Sequence, residues 1–430
     1  MKEIIKADKL NIEDNKICCE ISCSRGLKKY FSDSFYAKYD RDIENVNRSI
    51  LQIPAISNII TVAWVTGADV YVKELDKAYL ESLDKVKRVM KGMYPEFPFS
   101  GNIYVDKIVS NSISGQNQGS MLLFTGGIDS TTSYIRHKNE KPTLVTIWGA
   151  DIPLSKKDFW NKAKKEILRF ADKEGVEANF IETNIFSFMN MNLLSLEYGR
   201  YLTTLDWWES VQHGIGLLGL CAPLATVERI GTVYIASSLT HDFHYPLGLD
   251  LTTGNNISWA NVKVSQDGYE LTRQEKIRYA IKNYIRDTGN YPFIRVCNKK
   301  KDDKLNCSDC EKCYRAITGL VLEGIDPNNC GFTVDSRTFY SIKRKFINRK
   351  FIFPQTCVFL WKDIQRHIPE TIDHNLYNSK EFFRWLKDFD IVENNPLLYS
   401  FYFNLPKSVH NILVHTKILQ LIARISRKAI

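Results

Sequence analysis

The segment Thr125-Gly126-Gly127-Ile128-Asp129-Ser130-Thr131 sets two adjacent glycines, an acid and several hydroxyls directly after the apolar run Leu122-Leu123-Phe124. Glycine has no Cβ, so a glycine pair lets the backbone turn tightly and approach a bound group closely. A helix that begins at such a turn points unpaired N–H groups and the positive end of its dipole at an anion. The hydroxyls of Thr125, Ser130 and Thr131 add donors to the same place. The chemistry these residues suit is the cradling of a polyphosphate. The lysine-bearing P-loop signature is absent from the chain. An ordinary strand-to-helix turn, whose glycines serve only the backbone, is the alternative.

A second cluster is Cys297, Cys307, Cys310 and Cys313, spaced C-x9-C-x2-C-x2-C. Thiolates are soft ligands, and four of them close a tetrahedral shell around zinc. The x2 spacing lets a tight turn aim two sulfurs at one ion, and the remaining ligand comes from a neighbouring loop. Structural zinc in small sites contributes ~10–16 kcal/mol of apparent binding energy, enough to fix a loop of this size. Four ligands leave no open position, so the expectation is a structural ion. An iron–sulfur cluster and a set of reduced structural thiols are the alternatives. Cys18, Cys19, Cys23, Cys221, Cys330 and Cys357 have no ligand spacing, and Cys221 reads as a small buried hydrophobe.

The elements that must position these residues follow from hydrophobic patterning. Short continuous apolar runs at Met121–Phe124, Thr143–Trp148, Ala178–Glu182 and Thr232–Ser237 read as buried parallel strands. Helices are expected near Ser130–Arg136, Lys156–Lys173, Trp208–Glu228 and Arg273–Ile285. This alternation predicts an α/β fold with a doubly wound parallel sheet, and ligands in such sheets bind at the carboxyl ends of strands. The residues from Thr125 to Ser130 fall at such an end. Before it, Ile17–Ile21, Ile60–Trp64, Val70–Val72 and Ile103–Ile108 read as strands and Lys77–Met90 as a helix, giving an α+β extension over residues 1–115. The polar stretch 110–119 places the boundary. Residues 116–330 form the sheet domain with the cysteine array, with a short helix at Ala316–Glu323, and 331–430 a mostly helical C-terminal region.

Length and composition agree with several domains: 430 residues, 44% hydrophobic and 25% charged. No apolar run reaches membrane-span length, and Met1-Lys2-Glu3-Ile4-Ile5-Lys6 has no signal-peptide core, so a cytoplasmic location is expected. Ten cysteines in such a chain argue against a disulfide framework. The net charge of +9 is moderate, and the basic stretch 422–428 reads as a solvated helix end, with attraction of RNA or an acidic protein as the alternative.

The glycine-pair segment resembles the PP-loop of N-type ATP pyrophosphatases, Ser-Gly-Gly-x-Asp-Ser, with Thr125 at the first hydroxyl position. A PP-loop followed about 170 residues later by a four-cysteine array resembles the 7-cyano-7-deazaguanine synthase (QueC-like) family. The resemblance covers about residues 120–325. The enlarged ends are similar to versions associated with bacterial anti-phage defence. It implies a PP-loop (adenine nucleotide alpha hydrolase-like) sheet with a zinc knuckle. It also implies ATP, Mg2+ and Zn2+ as cofactors. The implied activity is that of a ligase which adenylates a 7-carboxy-7-deazaguanine-like molecule and releases pyrophosphate. An amine then attacks, either ammonia or the N-terminus of a partner protein. A homodimer is compatible with this reading, and neither a membrane nor a nucleic acid is an expected partner. A non-catalytic nucleotide-binding scaffold and a tRNA-modifying PP-loop enzyme are the competing functions.

Under this resemblance Gly126, Gly127, Asp129, Ser130 and Thr131 hold the phosphates, with Asp129 orienting the loop or binding magnesium. As a helix-start acid, Asp129 equally suits an N-cap. Leu271-Thr272-Arg273-Gln274-Glu275-Lys276-Ile277 is similar to the family's second phosphate motif, Thr-Lys-x-Glu-Ile, with arginine at the lysine position and Lys276 following. An exposed helix face is its alternative. Gly149, after Trp148, lies where this fold class places the nucleotide base; the family's Tyr-Gly-Gln-type sequence is missing there. His213, Ser237, Ser238, Asp242 and Arg315 are the substrate-side candidates. Arg315 suits a carboxylate through its guanidinium fork, and a surface arginine is the alternative. A structural role is the alternative for His213. A second metal at His241 and His244 lacks a third ligand.

Overall fold

A computed structural model describes residues 2–394, apart from 33, 114–118, 205, 244, 298–303 and 352. The basic stretch 422–428 and His244 therefore lie outside the described residues. Among the described residues eleven strands form one mixed sheet: β1 (Ile4–Glu13), β2 (Lys16–Cys23), β3 (Phe35–Tyr39), β4 (Asp69–Asp76), β5 (Ile103–Val109), β6 (Gly119–Leu123), β7 (Thr143–Trp148), β8 (Ala178–Thr183), β9 (Ile230–Ala236), β10 (Ser258–Trp259) and β11 (Val262–Asp267). Their order is β10-β11-β9-β6-β7-β8-β3-β2-β1-β4-β5.

The middle of the sheet, β11-β9-β6-β7-β8, is parallel throughout. The chain enters it at β6, winds to β7 and β8 on one side, then crosses to β9 and β11 on the other. That reversal beside β6 opens a crevice at the carboxyl ends of the strands. The four predicted parallel strands are all present, and β11 completes the set. β6 and β7 are buried on both faces, as their unbroken apolar runs require.

The first five strands extend the same sheet. β3 pairs antiparallel with β8 through Ala37 and Thr183, and β2 and β1 follow antiparallel. The β1–β2 hairpin turns through Asp14 (φ 50°) and Asn15 (φ 60°), two residue types that tolerate the left-handed region. One apolar core runs from Ile5 on β1 through Ile59, Met121 and Val145 to Val264 on β11.

Ile60–Trp64 is not a strand but part of the helix Ile53–Thr66, buried from Ile53 to Val65. A helix buried all round has no polar stripe, so its short apolar runs carry no period that separates them from a core strand. Pro54 near its start and Gly67 (φ 75°) after its end are helix boundary signals. Contrary to the expectation that no apolar run is long enough, the helical run Trp208–Val227 is long and apolar enough by length and composition to cross a membrane. Of its most apolar 18-residue window, 78% is buried inside the molecule. There it packs against Ile53–Thr66, with Gln212 Nε2 donating to the Ser57 carbonyl at 3.1 Å.

After the sheet come the helical run Arg273–Thr288, the cysteine array, and helices Glu311–Leu322, Thr338–Ile347, Gln355–Arg366 and Ser379–Asp388. These close a second apolar core that includes Ile128, Ile277, Cys313, Phe346 and Trp361. It reaches from the start of the glycine-loop helix to the C-terminal helices.

Candidate functional site

The glycine pair sits at the carboxyl end of β6. Gly126 has φ +72°, a conformation that strains any residue with a Cβ. Gly127 is the N-cap of the helix Ile128–His137, and no side chain caps that end. The first-turn N–H groups are thus left to water or a ligand. Ser130 Oγ accepts the Thr125 N–H and contacts the Gly127 carbonyl, both at 3.3 Å. The hydroxyl of Thr131 is buried with no hydrogen-bond partner.

Asp129 faces the second motif. Arg273 Nη2 lies 2.6 Å from Asp129 Oδ2, and Lys276 Nζ lies 3.3 Å from Asp129 Oδ1. Burial alone would raise the Asp129 pKa, but Arg273 and Lys276 outweigh it and hold the carboxyl below its usual range. Lys276 is 1% exposed. Burial pulls its pKa down, and Asp129 offsets part of that. Its Nζ also donates to the Ser237 carbonyl at 2.5 Å. Thr272 caps this helix, accepting the Glu275 N–H at 3.2 Å, while Glu275 Oε2 accepts the Thr272 N–H at 2.8 Å. The sequence left the choice between Arg273 and Lys276 open; both reach the loop acid.

Substrate-side residues are less uniform. Ser237 is buried, and its Oγ donates to the Leu239 carbonyl at 2.7 Å and accepts from Gln266 Nε2 at 3.2 Å, so its carbonyl is what faces Lys276. Ser238 is exposed. Asp242 is exposed and lies 2.8 Å from His241 Nε2. His213 packs edge-on against Trp208, with ring centroids 5.2 Å apart, and burial lowers its pKa. Gly149 has φ +98°, and a Cβ there would lie 1.8 Å from the Thr183 carbonyl oxygen. What it approaches closely is therefore the end of β8. Trp148 stacks on Trp160 at 5.4 Å.

Arg315 is not a surface residue. It is 6% exposed, with Nε 3.3 Å from Glu311 Oε1 one turn earlier on the same helix. Burial opposes its charge, but Glu311, with help from Cys357, Asp129 and Cys310, outweighs it, so the pKa rises. Arg315 Nη1 and Arg273 Nε are both buried with no hydrogen-bond partner. Buried donors left unpaired carry a desolvation cost that a bound anion would relieve.

The sulfurs of Cys297, Cys307, Cys310 and Cys313 all lie within 4.8 Å of one another. The Cys297–Cys310 and Cys307–Cys313 pairs are each 3.8 Å apart. A tetrahedron with metal–sulfur bonds of about 2.3 Å has edges of about 3.8 Å, so the spacing fits zinc. It is far longer than a disulfide bond of about 2.05 Å. Around the cluster, Asp309 Oδ1 accepts from Tyr314 Oη at 2.6 Å and from Lys345 Nζ at 2.5 Å.

A strap that sequence reasoning missed joins this cluster to the loop. Asn306 Nδ2 donates to the carbonyls of Ile294 (2.6 Å) and Gly331 (3.0 Å), and its Oδ1 accepts the Val296 N–H at 3.0 Å. Residues 293–297 then run beside the glycines, where Phe293 and Arg295 line a small cleft with Phe124, Thr125 and Gly126. The only signal in the sequence was that Arg295 precedes Cys297 by two residues. Glu311, Trp361 and Asp363, also unforeseen, stand behind the cations.

No protein-family model matches the chain, and no curated protein matches it.

Proposed function

We propose that this protein is an AMP-forming ligase of the QueC-like kind. It binds ATP by its polyphosphate on the Thr125–Thr131 loop and activates a 7-deazaguanine carboxylate, in the setting of anti-phage defence. One observation carries the reading. An uncapped helix start, a glycine with positive φ and the Asp129–Arg273–Lys276 triad converge at the carboxyl end of the central parallel strand. Helix N–H groups and fixed cations are what a departing pyrophosphate requires, because they neutralise charge that grows in the transition state.

In this reading the substrate carboxylate attacks the α-phosphorus of ATP, pyrophosphate leaves, and the acyl group is held on AMP. An amine then attacks the acyl carbon, AMP leaves, and an amide remains. The amine is ammonia or the N-terminus of a partner protein. Arg273, Lys276 and the loop N–H groups bind the leaving pyrophosphate, and Asp129 orients the two cations in its absence. Arg315 offers its unpaired Nη1 to an anionic oxygen. The cysteine cluster, with four ligands and no open position, has a structural role as a zinc site.

The test is pyrophosphate release from ATP with 7-carboxy-7-deazaguanine and an amine source, followed by mass spectrometry of the product. Release that depends on the acid and is lost in Asp129→Ala supports the proposal. Absence of release with ammonia and with the proteins encoded beside this one counts against it.

A further inference from the structure

We propose that the C-terminal helix Gln355–Arg366 is a positioning element of the loop site, in which Asp363 and Trp361 set the three cations Arg273, Lys276 and Arg315 for an anion. This rests on the polyphosphate reading of the loop given above.

Two buried contacts carry it. Asp363 is fully buried, and its Oδ2 accepts the N–H of Gln274 at 2.9 Å. Gln274 lies between Arg273 and Lys276 in the first turn of their helix. A carboxylate at that end satisfies an otherwise unpaired N–H and complements the helix dipole. It therefore fixes the axis from which both cations project. Gln274 extends the lock, donating through Nε2 to the Gly319 carbonyl (3.0 Å) on the helix Glu311–Leu322 and to Oε1 of its C-cap Glu323 (2.9 Å).

From the same helix as Asp363, Trp361 Nε1 donates to Glu311 Oε1 at 2.8 Å. That same carboxylate holds Arg315. Trp361 is fully buried, so its indole N–H has no water to exchange with, and Glu311 is held in place to orient the guanidinium. One helix from the C-terminal region thus stands behind every cation of the site without itself entering the loop. Residues that orient ligating groups commonly matter nearly as much as the groups themselves.

The experiment uses the full chain and inorganic pyrophosphate as probe, titrated calorimetrically into wild type, Asp363→Ala, Asp363→Asn and Trp361→Phe. Asp363→Ala is expected to weaken binding about tenfold, as loss of an orienting partner commonly does. Asp363→Asn, which keeps an acceptor oxygen, should recover part of that affinity. Trp361→Phe keeps an aromatic ring but loses the donor and some core volume, so it should lower the melting temperature and also weaken binding measured well below that temperature. If Asp363→Ala does not fold, Trp361→Phe and Asp363→Asn decide the matter. Folded variants that bind pyrophosphate as wild type does would overturn the positioning role alone. A wild-type protein that neither binds nor releases pyrophosphate would overturn the reading of the loop, and the positioning role with it.

Discussion

The backbone N–H of Arg295 donates to the carbonyl of Gly126 at 2.7 Å, two residues before Cys297. The Arg295 side chain adds a bond from Nε to the Thr125 carbonyl at 3.1 Å. These two bonds pin the outer side of the glycine turn to the strap that ends in the cysteine cluster. Order in the cluster is therefore transmitted to the loop through fewer than five residues of backbone.

The first prediction follows directly. One zinc ion per chain is expected, and its removal should loosen the loop as well as the knuckle. Hydrogen exchange measured with and without a chelator, or in Cys310→Ser, should show lost protection over residues 123–128 together with a lower melting temperature. Structural zinc is worth roughly 10–16 kcal/mol in small sites, so the drop should be large. Unchanged exchange at Gly126 in the metal-free protein would break the proposed connection.

Asp129 supplies the second. Its carboxylate compensates two cations, one of them almost wholly buried. Removing one partner of such a group strands the others, at a cost of about 3 kcal/mol. Asp129→Asn should lose roughly that much stability at neutral pH. Because its folded pKa lies below the unfolded value, the contribution is complete above about pH 4 and fades as pH falls through the folded pKa. Urea denaturation of both proteins at neutral and acid pH checks this. The gap between them should close on acidification, and a gap that widened would contradict the ion pairing.

Two of the three glycines expected to serve a nucleotide differ in what they tolerate. A Cβ on Gly126 meets nothing closer than the Phe293 carbonyl at 3.7 Å, so Gly126→Ala has only its positive φ to overcome, about 1–2 kcal/mol. Gly126→Ala should fold and lose nucleotide affinity. Gly149→Ala would drive a methyl into the Thr183 carbonyl at 1.8 Å. That variant should fail to accumulate as folded protein, because β7 and β8 would be forced apart. Circular dichroism with a nucleotide-binding assay separates the two; a stable Gly149→Ala protein would show that the strand ends can separate at small cost.

How far the sequence could be read depended on how local each signal was. β7 was found to the residue at both ends, because a parallel core strand is one unbroken apolar run. The loop and the cysteine set were legible for the same reason: their chemistry sits in adjacent or closely spaced residues. Ile53–Thr66 was misread because every one of its faces is buried. What makes it a helix is contact with the distant segment around Gly219, where a Cβ would lie 1.7 Å from Ser57 Oγ. β1 and β3 were missed; both mix charged with apolar residues, and they are buried by the distant strands they pair with and by the helix Ile53–Thr66. Asp363 had no signal at all, since its partner Gln274 is 89 positions away.

That distant pairing yields a last prediction. His367 follows Asp363 by one helical turn, with Nδ1 3.2 Å from the Asp363 carboxylate and 2.8 Å from its carbonyl oxygen. The hydrogen bond to Asp363 raises the His367 pKa, against the pull of burial. A raised folded pKa means that the native chain keeps a proton which the unfolded chain has already lost. This stabilisation is fully present below about pH 6.5 and disappears as pH rises through the folded value. Wild type should accordingly lose a little stability from pH 6 to pH 9, no more than about 1 kcal/mol for a partly solvated pair. His367→Gln should flatten that slope. Urea midpoints at the two pH values measure it directly. A wild-type slope of opposite sign would mean that the imidazole is held neutral, and that Asp363 keeps the Arg273 helix in place without its help.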